Sequence, residues 1–184
     1  MSQLQPRPDI GADDVVDPDG DRGRCRTYEW SDPAPKVAAM PDRAGIDVLK
    51  AIVDGELPPP PIMSTLDIMA EMFEVGRAVF SLLPSEMHYN PLGGVHGGVL
   101  ATLLDSAAGC AVHSVLPAGT GYTSVDLTTK FLRPVTAASG RITAEGRVIS
   151  RGSRTALAEA QLTDGRGRLV AHATSTCLLF ELPS

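Results

Sequence analysis

A single charged residue lies in an otherwise uncharged stretch of thirty-nine residues, and this constrains the chain more than any other feature. Between Glu86 and Asp126 the only Asp, Glu, Lys or Arg is Asp105, which lies in the run ATLLDSAAGCAVHSV. Its neighbours are apolar and favour burial, and burial raises the proton affinity of a carboxylate. From composition alone, pairing with a remote Arg or a backbone amide is as good an explanation as catalysis. Asp105 is therefore the first candidate catalytic residue.

The segment before Asp105 predicts the start of a long helix. Four glycines surround His96, and the first backbone N–H groups of a helix have no partner within it. With the helix dipole, such N–H groups suit a developing oxyanion. His96 and Asp105 are nine positions apart, which is roughly 13 Å along one helix. If both act on one reacting centre, the site is composite, and the sequence therefore indicates a dimer.

Taken together, Asn90, the HGG at positions 96–98, Asp105 and the following strand GYTSVDLTTKFLRPV resemble the hotdog-fold acyl-CoA thioesterases of the PaaI-like type, over about residues 44–180. The resemblance implies that Asn90 and the N–H of Gly97 polarise the thioester carbonyl. It also implies that Asp105 of the opposing subunit activates water or attacks directly, and that Ser124 assists. His96 then supports the helix entry.

Strand and turn patterns predict the same fold independently. Two strands are expected within residues 66–83, and further strands over 122–132, 141–150, 154–163 and 169–180. One long apolar helix flanked by short antiparallel links favours an α+β class, with a curved antiparallel sheet wrapped around the helix. A short helix is expected over 43–54, with Asp42 as N-cap and Gly55 as stop, and extended structure over 56–63.

Composition limits the domain organisation and the partners. The 184 residues, 43% of them hydrophobic, predict one hotdog domain over 42–184, preceded by an acidic, Pro/Gly-rich extension over 1–41 that is disordered or loosely docked. A net charge of −6 argues against nucleic-acid binding, and no run suits a membrane span or a signal peptide. Three scattered cysteines predict a reducing cytoplasm and no metal site.

The expected substrate is an acyl-CoA, cleaved without metal or redox cofactor by a homodimer or a dimer of dimers. Arg133, Arg151 and Arg154 are candidate ligands for the CoA phosphates, because Arg forms planar charge-assisted bonds to phosphate. Two alternatives stay open: a hotdog hydratase or dehydratase that uses His96 with the partner's Asp105, and a non-catalytic acyl-CoA sensor. The acyl group, and the choice between water activation and anhydride formation, are not determined by the sequence.

Overall fold

The computed structural model describes residues 24–183, which contain four α-helices and seven strands. The helices are α1 (Ala34–Ala39), α2 (Gly45–Val53), α3 (Pro61–Leu66) and α4 (Gly97–His113). The strands are β1 (Met69–Glu74), β2 (Arg77–Leu82), β3 (Thr120–Ser124), β4 (Thr128–Phe131), β5 (Ile142–Arg151), β6 (Thr155–Thr163) and β7 (Leu169–Glu181). Single 3-10 turns lie at Glu86–His88 and Ala137–Ser139.

All strand pairs of the sheet are antiparallel, in the order β1-β2-β5-β6-β7-β3, and β4 also pairs with β7. Helix α4 packs across one face of this sheet, as the sequence predicts. The apolar side chains of the helix are buried there, among them Leu100, Leu103, Leu104, Ala107, Ala108, Ala111 and Val112. This burial is the main source of stability for an apolar helix of this kind. The predicted α+β fold with a sheet around one central helix is confirmed.

The described part of the chain forms two units, residues 24–30 and residues 31–183. In the first unit, the rings of Tyr28 and Trp30 lie 5.9 Å apart, and the Arg26 guanidinium lies 5.3 Å from the Tyr28 ring centre. Residues 1–23 of the predicted extension lie outside the described part of the chain. The extension and its boundary at residue 42 stay a prediction, although Ala34–Ala39 within it forms α1.

Three details of the predicted secondary structure are wrong. Ala44, not Asp42, is the N-cap of α2. Extended structure does not reach residue 63, because Pro61 begins α3, where the first helical position needs no N–H donor. The strand expected over 122–132 is interrupted between β3 and β4, because the Asp126 carboxylate accepts a hydrogen bond from the Thr176 backbone N–H at 2.9 Å.

Helix α4 and the sheet approach closely at Gly146 of β5. A Cβ added there would lie 2.1 Å from the backbone oxygen of Ala107 and 2.7 Å from the backbone nitrogen of Ala108. We expect Gly146→Ala to lower the free energy of unfolding by about 3 kcal/mol, the upper end of typical overpacking costs, since backbone cannot move aside as a flexible side chain can. Urea unfolding measures this loss.

Gly152→Ala is the matched control for that substitution. A Cβ on Gly152 would lie 3.4 Å from the Thr155 backbone oxygen, which is close to ordinary contact. We expect this variant to change stability by less than about 1 kcal/mol. Equal losses in the two variants would show that the close approach of α4 to β5 does not limit side-chain size at residue 146.

His113, the last residue of α4, is buried and packs edge-on against Tyr122, with 5.5 Å between the ring centres. Burial, with a smaller contribution from the charge of Lys36, lowers the pKa of His113 from 6.5 to about 4. The unfolded chain therefore binds more protons than the folded chain between these two pH values. Stability contributed by neutral His113 is present above pH 6.5 and is lost as pH falls toward 4.

This titration predicts a pH dependence of stability. From the depressed pKa, we expect His113 to account for about 2 kcal/mol of the stability lost between pH 7 and pH 5. Urea unfolding of the wild type and His113→Gln at both pH values gives the comparison, and the variant should lose less by that amount. The same pH-dependent loss in both proteins would contradict the assignment.

Candidate active site

Two free hydrogen-bond donors lie near the start of α4, and the first is the backbone N–H of Gly97. His96 is the N-cap of α4, and its Nδ1 accepts the Gly98 N–H at 2.9 Å. The N–H groups of Val99 and Leu100 donate to the His96 backbone oxygen. Within residues 24–183, the Gly97 N–H has no acceptor. The cap therefore leaves the donor of Gly97 available to a ligand, at the positive end of the helix dipole.

Asn90 supplies the second donor. Its Oδ1 accepts hydrogen bonds from the backbone N–H groups of Leu92, at 2.8 Å, and Gly94, at 3.3 Å. The backbone of Asn90 also closes the turn, since its N–H donates to the Gly94 oxygen at 2.6 Å. These bonds use the side-chain oxygen and fix the orientation of the amide. The Nδ2 group is therefore the part of Asn90 that remains to donate to a bound molecule.

Asn90 and Gly97 line one groove of about 350 Å³. The rest of its lining is mostly apolar: Val95, Leu100, Phe131, Leu132, Arg133, Pro134 and Val135. Two hydrogen bonds join the chain segments on the two sides of the groove, from the Val95 N–H to the Val135 oxygen at 2.8 Å and from the Ala137 N–H to the Tyr89 hydroxyl at 2.9 Å. The groove thus places two donors beside an apolar wall.

Asp105 lies half-buried on α4, eight positions beyond Gly97. The Ser124 hydroxyl donates to Asp105 Oδ1 at 3.0 Å, so the structure brings together two residues that the sequence predicts to act together. No Arg or Lys within 4.0 Å pairs with Asp105 in the described part of the chain. Pairing with a remote Arg, one of the alternatives left open by the sequence, is therefore not found.

The surroundings of Asp105 contain further titratable groups that are less suited to chemistry. Burial raises the pKa of the Cys110 thiol to about 11, and the charge of Asp105 adds to this effect. Burial raises the pKa of Cys177 as well. The pKa of Asp126 is lowered, chiefly by the backbone hydrogen bond from Thr176. The thiols are thus protonated at neutral pH. The Asp126 carboxylate already accepts a hydrogen bond from Thr176 at the interruption between β3 and β4.

The three predicted phosphate ligands are not brought together. Arg133 lines the groove with Asn90 and Gly97, and its Nη1 donates to the Leu169 oxygen. Arg151 ends β5, and Arg154 lies in the turn before β6. Both are exposed, and neither lines the groove. Of the three, only Arg133 lies beside the candidate donors.

The groove wall also contains residues to which the sequence assigns no role. Phe131, Pro134 and Val135 belong to the segment FLRPV, which carries part of the family resemblance. The sequence therefore marked this segment as part of the family pattern but gave these three residues no function. Val95 and Leu100 join them from the other side of the groove. Their joint position depends on the packing of β4 against the start of α4, which no local pattern specifies.

Comparison with known proteins identifies the family to which the chain belongs. Residues 92–171 match the thioesterase superfamily model. A candidate esterase from Saccharolobus solfataricus is 33% identical over 128 residues, which cover 69% of this chain and 89% of that protein. A candidate esterase from Halobacterium salinarum is 42% identical over 69 residues, which cover 36% of this chain and 44% of that protein.

Solved structures give the same result. The crystal structure of a candidate thioesterase from Ralstonia eutropha, described as related to phenylacetic acid degradation, is 29% identical with a TM-score of 0.64. The match covers 70% of this chain and 97% of that one. The chain therefore belongs to the thioesterase superfamily, with the hotdog fold of its PaaI-like members. Within the described residues, no helix has the length and apolar character needed to cross a bilayer.

Proposed function

We propose that the chain is an acyl-CoA thioesterase that hydrolyses its substrate to a carboxylic acid and CoA at a site formed by two subunits. One observation carries this proposal. The free donors of Gly97 and Asn90 lie in one groove, whereas Asp105 lies about 12 Å farther along α4, at 1.5 Å per residue, and is hydrogen-bonded there to Ser124 of β3. A single thioester carbonyl cannot touch both groups of one chain, but it can touch one group from each of two chains.

The donors act on the carbonyl oxygen. The Gly97 N–H and Asn90 Nδ2 hold it, and they bind it more tightly once negative charge develops in the tetrahedral intermediate. Both are fixed before substrate arrives, Gly97 by the capped helix and Asn90 by its own turn. Preorganised donors of this kind contribute roughly 3 kcal/mol each to lowering the barrier.

Asp105 of the opposing subunit acts on water. Its carboxylate takes a proton from the attacking water molecule, and the resulting carboxylic acid returns that proton to the CoA sulfur as the C–S bond breaks. Ser124, which donates to Oδ1, holds the carboxylate in place and orients the water. In a second route Asp105 attacks the carbonyl itself, the C–S bond breaks and CoA leaves as its thiolate, giving a mixed anhydride. Water then hydrolyses the anhydride to the carboxylic acid and restores Asp105.

Arg133 is the residue we assign to the CoA phosphates, because its guanidinium is exposed at the edge of the groove. The assignments of Arg151 and Arg154 depend on how a second subunit places them. A dimer, or a dimer of dimers, is the assembly that the composite site requires.

The proposal is tested by release of free thiol from a panel of aryl-CoA and alkyl-CoA thioesters. We expect turnover of at least one uncharged acyl-CoA, with a carboxylic acid and CoA formed in equal amounts. Water added across a carbon–carbon double bond of the acyl group, without thiol release, would instead identify a hydratase. Acyl-CoA binding without any reaction would identify a sensor.

A further inference from the structure

Phe131 covers the entry of α4 at the residue that carries the free donor. Three carbons of its ring lie 3.1, 3.3 and 3.6 Å from the point that a Cβ on Gly97 would occupy. The backbone of Phe131 is fixed, because it ends β4 in register with Ala171 of β7. The ring therefore lies directly beside the first turn of the helix, and the absence of a side chain at Gly97 makes this approach possible.

The same ring remains open to a ligand. Phe131 is 53% exposed and lines the groove together with Asn90 and Gly97. A half-exposed aromatic ring keeps apolar surface in contact with water. Covering that surface with an apolar group of a ligand is therefore favourable. A group bound to the Gly97 N–H thus lies next to an apolar surface as well as a donor.

We infer that Phe131 is a substrate-positioning and specificity residue, which holds an uncharged apolar acyl group beside the carbonyl that Gly97 and Asn90 polarise. The inference rests on the proposed function and adds the substrate class to it. A carboxylate on the acyl group would lose hydration against Val95, Leu100 and the ring, and such burial is costly without a partner. Arg133, the cation in the groove lining, is assigned to the CoA phosphates and so is not free to pair with an acyl carboxylate.

A second phenylalanine offers a matched control. Phe180 of β7 is 42% exposed, and two of its ring carbons lie 2.8 and 3.0 Å from the point that a Cβ on Gly121 would occupy. It therefore covers a glycine much as Phe131 does, but it does not line the groove. Loss of either ring has a similar effect on packing, and only one of them is placed to affect substrate.

The experiment compares hydrolysis of hexanoyl-CoA and succinyl-CoA by the wild type, Phe131→Ala, Phe131→Leu and Phe180→Ala. We expect the wild type to prefer hexanoyl-CoA. Phe131→Ala should lower kcat/KM for hexanoyl-CoA by about tenfold or more, because misplacement of the reacting group by about 1 Å is costly. It should also reduce the preference over succinyl-CoA, and Phe131→Leu should restore part of both. Phe180→Ala should stay within about twofold of the wild type.

Three results would overturn the inference: equal losses in Phe131→Ala and Phe180→Ala, an unchanged hexanoyl preference in Phe131→Ala, or a wild type that prefers succinyl-CoA. If the wild type hydrolyses neither thioester, binding of the thioether hexyl-CoA, measured by calorimetry, decides the matter separately from the proposed activity. Weaker binding by Phe131→Ala alone, by about tenfold, supports the positioning role. Unchanged binding overturns it.

Discussion

Asp105→Asn should lower kcat for acyl-CoA hydrolysis by about 10² to 10⁴, with KM little changed. The asparagine keeps the size of the side chain and an oxygen that can accept the Ser124 hydroxyl, which donates to Asp105 Oδ1 at 3.0 Å. It cannot take a proton from water, nor can it attack a carbonyl. The loss therefore falls on the chemical step rather than on binding, and thiol release under saturating substrate measures it.

Asp47→Asn is the control for this experiment. Asp47 is exposed in the first turn of α2, so the variant removes one helix carboxylate without touching the site. Its kcat should match that of the wild type. Equal rates for Asp105→Asn and the wild type would show that Asp105 takes no part in the mechanism. The assignment of Gly97 and Asn90 as donors would not be affected by that result.

Asn90→Asp should lower kcat by about 10² to 10³, the cost of losing one oxyanion donor. The change is informative because Oδ1 of Asn90 holds the turn through the N–H groups of Leu92 and Gly94, and a carboxylate can accept the same bonds. The turn is kept, the Nδ2 donor is lost, and a negative charge faces the developing oxyanion. Steady-state kinetics and the melting temperature together separate catalysis from folding.

Gln161→Glu is the matched control for the added charge. Gln161 is exposed on β6 and lies away from the groove, so a carboxylate there should not change kcat. If Asn90→Asp instead keeps full activity, Asn90 serves only the turn. If the melting temperature of Asn90→Asp falls as far as that of an Asn90→Ala variant, which lacks the side-chain oxygen, the hydrogen bonds from Leu92 and Gly94 depend on the amide itself.

Local pattern was sufficient to predict much of this fold. Alternation of apolar residues located β1, β2, β5, β6 and β7, and Gly55, with a φ of 77°, ends α2 as expected. The lone charge in an apolar run drew attention to Asp105, and its hydrogen bond to Ser124 is found in the structure. The helix and strand assignments succeed because each depends on neighbours within a turn or a strand, whereas Ser124 was assigned beside Asp105 only by the family resemblance.

Other features depend on residues far apart in the chain. The interruption between β3 and β4 follows from a bond between Asp126 and Thr176, fifty residues later. The groove wall requires Phe131 to pack on Gly97. Propensity and spacing carry no information on such tertiary contacts.

A site composed of residues from two subunits can be tested by complementation between two inactive variants. Asp105→Asn and Asn90→Asp chains, each with a different affinity tag, are expressed together, and the assemblies that carry both tags are purified. In a mixed dimer one site contains both intact residues and the other contains neither. We expect about half of the wild-type activity per dimer, because one of the two sites is intact. Activity no higher than that of the separate variants would contradict it, because a site built within one chain cannot be restored by mixing.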